Sequence, residues 1–169
     1  MRPDLRTLLV MAALLALIAA VTAAVMARQD RAAAAPATPS PPLVGMTLER
    51  ESFDLSRTIG RPTVVNFFAS WCPSCAEEAA DLAAFAAAHP ELAVVGVAVN
   101  DKRADAERFV MRHGITYPVV LDTTGLDGDA WGVTGIPATF FLDAQGRTVT
   151  SIVGAATRDR FEETLDAVR

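Results

Sequence analysis

Cysteine is scarce: the 169-residue chain has two, Cys72 and Cys75, both in one C-x-x-C motif. A pair that close cannot staple a scaffold whose framework depends on bridges between distant segments. Histidine is as scarce. His89 and His113 are the only two, and each falls at an expected helix end. A zinc site begun by the cysteines therefore lacks further ligands, and a copper-delivery module lacks added histidine or methionine near them. Clusters of cations are missing as well. With 15 Lys+Arg against 20 Asp+Glu and a net charge of -5, no basic run is dense enough to track a phosphate backbone, which excludes nucleic acid as a partner. No internal repeat and no second domain are visible. The length suits one domain with an appendage.

Residues 8–27, LLVMAALLALIAAVTAAVMA, carry no charge. As a helix, twenty residues at about 1.5 Å each span about 30 Å, the hydrocarbon thickness of a bilayer. Arg2 and Arg6 precede the run, while Arg28 and Arg31 follow it with Asp30 between them. The charge bias is weak, and an N-in orientation rests partly on the usual behaviour of a first apolar segment. The run exceeds the 7–15 residues of a typical signal-peptide core, which favours an uncleaved signal anchor over residues 1–28. A cleaved signal peptide ending at Val25-Met26-Ala27 is the competing reading. Both place the remainder outside the cytoplasm, where thiol pairs are oxidised or kept reduced by a dedicated electron supply. Residues 29–42 contain four prolines and no large apolar side chain, so they read as a semi-rigid linker. The folded domain is expected over residues 43–169.

Along that domain, Phe53 and Leu55 show the two-residue period of a half-buried strand, which suggests a short strand or hairpin over residues 47–55. Residues 63–68, TVVNFF, are β-branched and aromatic and suit a central strand buried on both faces. A helix is expected from Pro73 to His89, with Pro73 in the first turn, where a missing N–H costs nothing, and Pro90 closing it. On that helix Cys75, Ala79, Leu82 and Ala86 share a face with Phe85 beside them, and Glu78 points inward rather than outward with Glu77 and Asp81. Residues 91–99 read as a second buried strand, with Asn100-Asp101 as a cap before a helix that ends at His113-Gly114. A short strand over residues 117–122, a helical turn around Trp131, a hairpin over residues 137–154 and a terminal helix over residues 158–168 follow. This order indicates a central mixed sheet with helices on both faces.

The cysteines sit where the central strand gives way to the helix, the end at which sites on open α/β sheets lie. A free thiol has a pKa of about 8.5, and a helix N-terminus in a C-x-x-C motif lowers it into roughly the 3.5–7.5 range. Cys72, the outer thiol, is thus the expected nucleophile, and Cys75 the resolving thiol that closes the disulfide. That is the chemistry of a dithiol/disulfide oxidoreductase, and it needs no metal and no cofactor.

Trp71-Cys72-Pro73-Ser74-Cys75 after Val-Asn-Phe-Phe-Ala-Ser, with Gly135-Ile136-Pro137-Ala138-Thr139-Phe140 some sixty residues later, resembles the thioredoxin-like proteins of the TlpA/ResA/DsbE group. The resemblance runs from about residue 43 to the C-terminus. It implies an α/β thioredoxin-like fold behind an N-terminal transmembrane helix. It places Pro137, after a cis peptide bond, opposite the cysteines. It also implies a substrate-facing surface of Trp71, Pro73, Ile136 and Pro137, where the Ile136 backbone can pair with an extended segment. Glu78 matches the helix glutamate of this group and is expected to exchange a proton with Cys75. Asn66 stands where cytosolic thioredoxins carry a buried aspartate, which makes Glu78 the remaining proton partner. Ala80 replaces a proline that the group often carries, so no helix kink is expected there.

The implied activity is thiol:disulfide exchange, most often in the reducing direction. Its partners would be protein disulfides, among them the C-x-x-C-H motif of apocytochromes c, and a membrane thiol-electron donor. An extracytoplasmic disulfide-forming oxidase uses the same residues and stays open. A peroxidase of the related peroxiredoxin group would need threonine or serine at position 69 and proline at 65, where the chain has Ala69 and Val65.

Overall fold

A computed structural model describes residues 37–166. The expected signal anchor and most of the expected linker lie outside these residues. Among the described residues no helix is long and apolar enough to cross a membrane.

The strand Thr63–Phe68 (β4) is buried at every position, as its β-branched and aromatic sequence predicts. It still obeys the two-residue alternation of a strand. Val65 and Phe67 pack on one face with Val95, Val97 and Trp131, while Val64 and Phe68 enter the clusters on the other face. Helix α1, Pro73–Ala88, crosses to β5, Ala93–Val99, parallel to β4 with Phe68 opposite Ala98. Helix α2, Arg103–His113, leads to β6, Val119–Asp122, parallel to β5. Gly114 ends α2 in the left-handed conformation at φ 65°, as glycine after a helix should.

After the short helix α3, Leu126–Ala130, Trp131 is buried with its ring 5.4 Å from Phe67 and 5.2 Å from Phe140. Strand β7, Ala138–Leu142, returns antiparallel to β4 and pairs through a tight turn with β8, Arg147–Val153. Helix α4, Arg158–Asp166, packs Phe161 against Phe85 of α1, with ring centroids 5.6 Å apart. With the short strand Thr38–Pro39 (β1) at its edge, the main sheet among the described residues has the order β1-β8-β7-β4-β5-β6, the mixed sheet expected from the sequence.

Three local expectations change. Residues Val44–Met46 (β2) and Ser52–Asp54 (β3) form a separate two-stranded ribbon, so the hairpin starts three residues earlier than its alternation suggests. Within the expected linker, β1 pairs with Thr148 and Arg147 at the outer edge of β8. Ordered chain therefore begins before residue 43, and proline is tolerated because an edge strand need not donate on its open side. Finally, Asp101 does not cap α2: Lys102 is the N-cap residue, with no side-chain cap bond.

Candidate active site

Ala69, fully buried, and the Ser70–Trp71 corner join β4 to α1. Cys72 is the N-cap of α1, with extended backbone (φ -92°, ψ 115°), and Pro73 occupies the first turn. The Cys75 N–H donates to Cys72 Sγ at 3.2 Å, one of the amides a helix start leaves free. The same geometry favours negative charge on Cys72 once the disulfide opens.

Cys72 and Cys75 are joined as a disulfide, with Cα atoms 5.3 Å apart. Both sulfurs are well covered, the residues being 5% and 1% exposed. The Ser74 hydroxyl lies 3.3 Å from Cys72 Sγ and donates to it in this oxidised state. On the other side, Cys72 Sγ lies 3.8 Å from the Ile136 carbonyl oxygen.

The Ile136-Pro137 peptide bond is cis. The structure thus brings Ile136 and Pro137 to the cysteines, as the resemblance implies. Pro137 is itself buried, Ile136 half-buried, and Gly135 and Thr134 exposed. Pro137 is pinned from behind, its carbonyl accepting from Gly154 N at 2.8 Å. Trp71 and Pro73 are exposed. Trp71 is 61% exposed and held by its rim, where Nε1 donates to the Asn100 carbonyl at 3.2 Å.

Glu78 is 2% exposed, one helical turn beyond Cys75 on the same inward face. Its Oε1 accepts from Asn66 Nδ2 at 2.8 Å and its Oε2 from Ala156 N at 2.9 Å. Asn66 Nδ2 also donates to Thr139 Oγ1 at 2.9 Å. Burial pushes the Glu78 carboxyl from an ordinary 4.5 up to about 7, against the pull of the Ala156 and Asn66 hydrogen bonds. Tyr117 lies within its field: burial first, and then the Glu78 charge, raise the phenol well above its usual range. A carboxyl poised near neutrality has the proton affinity a general acid/base needs.

Asp101, expected only as a helix cap, belongs to the site. It is a buried carboxylate that accepts from Ser70 N at 2.6 Å, Ser70 Oγ at 2.8 Å and Lys102 N at 2.8 Å. It therefore fixes the corner that presents Trp71 and Cys72. The parallel register was the available signal: Phe68 pairs with Ala98, so the two chains leave the sheet side by side, with Ser70 facing the residues after Val99. The histidines do other work. His89 closes α1 against Glu91 and Glu162, and the His113 ring packs tilted against Phe109.

The model of the family described as Redoxin matches residues 30–168. The thiol-disulfide oxidoreductase ResA of Halalkalibacterium halodurans is 29% identical over 125 residues, covering 72% of this chain and 70% of that one. The thiol:disulfide interchange protein DsbE of Allochromatium vinosum is 43% identical over 89 residues, covering 52% and 49%. Among solved structures, a thioredoxin family thiol:disulfide interchange protein from Chlorobium tepidum TLS superposes with a TM-score of 0.72 at 30% identity, covering 79% of this chain and 97% of that one. With the fold, the disulfide and these relatives in agreement, the chain belongs to the Redoxin family and is a thiol-disulfide oxidoreductase.

Proposed function

We propose that the protein reduces protein disulfides outside the cytoplasm, tethered by residues 8–27. Cys72 is the nucleophile, Cys75 the resolving thiol and Glu78 its proton partner. The observation that carries the assignment is the placement of Cys72 at the α1 N-terminus, 3.8 Å from the Ile136 carbonyl oxygen. A target cysteine held against the Ile136 backbone stands within reach of that sulfur.

In the reducing direction the Cys72 thiolate attacks one sulfur of the target disulfide, and the other leaves as a thiolate that takes a proton from solvent. Cys75 then gives its proton to Glu78 and attacks Cys72 Sγ, which releases the second target thiolate. Glu78 returns the proton to that thiolate. The target has gained two electrons from the cysteine pair and two protons, one from solvent and one from Cys75 by way of Glu78, and Cys72–Cys75 is a disulfide again. A membrane thiol carrier must re-reduce it for the next turnover. The C-x-x-C-H motif of an apocytochrome c suits this chemistry as a target.

The same constellation run backwards installs disulfides, so the reduction potential decides the direction. Equilibration of the purified protein with glutathione measures it. A potential below about -200 mV supports the reductase, and one near the roughly -120 mV of a strong oxidant overturns it. Intact mass of the membrane-extracted protein tests the tether: loss of residues 1–27 refutes it.

A further inference from the structure

Trp71 borders two recesses. One, of about 160 Å³, runs past Asn100, Asp129 and Gly135 to Ile136, on the side of the target-binding loop. The other, of about 290 Å³, is bounded by Ser70, Trp71, Asp105, Arg108, Phe109 and Arg112. Nothing in the exchange chemistry uses this second recess.

Its helical wall follows from spacing. Positions 105, 108, 109 and 112 recur at three, four and seven residues and so share one face of α2. Phe109 is buried and stacked on Phe68, with ring centroids 5.1 Å apart, which fixes that face against the end of β4. Arg108 is ion-paired with Asp105. The Arg112 side chain is exposed, and among the described residues no carboxylate lies within ion-pair distance of it. Among its lining residues two arginines stand against one aspartate, and the Asp101 carboxylate behind Ser70 is taken up by the Ser70 and Lys102 N–H groups and the Ser70 hydroxyl, so the lining is basic on balance in a chain whose net charge is -5. A planar guanidinium suits a carboxylate bidentately.

We propose that this recess is a recognition subsite for an acidic side chain flanking the target cysteine of a protein partner. Ser70 is two residues from Cys72, at most about 7 Å along the chain. An extended partner whose cysteine meets Cys72 therefore brings a residue two or three positions away over the recess. Trp71 forms the wall between that residue and the cysteine. The inference rests on the reading that protein disulfides are the substrates.

The test uses the reduced full-length chain and two disulfide-containing peptides that differ only in Glu or Lys two residues from the attacked cysteine. The expected result is about fivefold faster reduction of the Glu peptide, the size of a favourable exposed ion pair, shrinking in high salt. In Arg112→Glu the preference inverts, and in Arg112→Lys it survives in part. Equal rates for the two peptides, or a ratio untouched by Arg112→Glu, overturn the subsite while leaving the oxidoreductase reading intact. Failure to reduce either peptide overturns the reading itself and the subsite with it.

Discussion

Replacing Glu78 by glutamine should flatten the pH dependence of stability by a calculable amount. The buried carboxyl titrates at about 7, against an ordinary 4.5. The folded state therefore holds more protons than the unfolded state between those values, and stability falls as pH rises through that window, levelling off above about pH 7. At about 1.36 kcal/mol per pH unit the interval is worth about 3 kcal/mol. A glutamine side chain cannot ionise, so the Glu78→Gln variant lacks this slope. It suffers a different, pH-independent cost. Asn66 Nδ2 and Ala156 N both donate to the carboxyl, and the glutamine NH₂ must face one of these donors, at about 1–3 kcal/mol. Urea unfolding of both disulfide-intact proteins between pH 5 and pH 8 separates slope from offset. The stability difference, wild type minus variant, should fall by most of 3 kcal/mol across the range. Other titrating groups are common to both proteins and cancel. Curves that stay parallel to within about 0.5 kcal/mol would refute the raised carboxyl and remove its support as the proton partner of Cys75.

Cys75→Ser should leave Cys72 able to attack but unable to be released, so a covalent adduct with a disulfide partner accumulates on non-reducing gels; no adduct would take Cys72 out of the nucleophile role. Asp101→Ala orphans the Ser70 N–H and hydroxyl, costing about 1–3 kcal/mol and shifting Trp71 emission, with Asp101→Asn restoring part of both; an unchanged melting temperature and spectrum would show that the corner holds itself. Phe85→Ala empties a fully buried site between α1 and α4 and should cost about 3–5 kcal/mol in denaturant unfolding; a loss under about 1 kcal/mol would mean that α4 is not part of this core.

What was legible in the sequence is what local pattern encodes. Residues 63–68 have no polar position except Thr63 and Asn66, so a central strand was the only economical reading, and the helix after Pro73 followed from composition. Glu78 was placed inward by spacing alone, and it is buried. Two of the misses, Asp101 and Thr38–Pro39, share one cause: their partners are remote in sequence. Asn100-Asp101 before a helix is an ordinary cap signal, and nothing local says that the carboxylate turns to Ser70, thirty-one positions away. Thr38–Pro39 reads as linker by composition, because only the open edge of β8 gives it a partner. Phe85 proved the core residue at the end of α1, with Ala86 only half-buried, because the side chain that meets Phe161 of α4 must be long.

The polar contacts around Glu78 tie proton affinity to target geometry. Asn66 lies on β4 six residues before Cys72, and its amide binds both Glu78 Oε1 and Thr139 Oγ1. Thr139 sits two residues after Pro137, and Asn66 is its direct neighbour across the sheet. Ala156, which binds Glu78 Oε2, lies two residues after Gly154, whose N–H holds the Pro137 carbonyl. The Pro137 loop is thus held from both flanks by segments that also hold the carboxyl. In the proposed mechanism Glu78 becomes neutral when it takes the Cys75 proton, and its two acceptor bonds weaken. A change in the Glu78 charge is then felt at Thr139 and Ala156, on either side of the loop against which a target would lie.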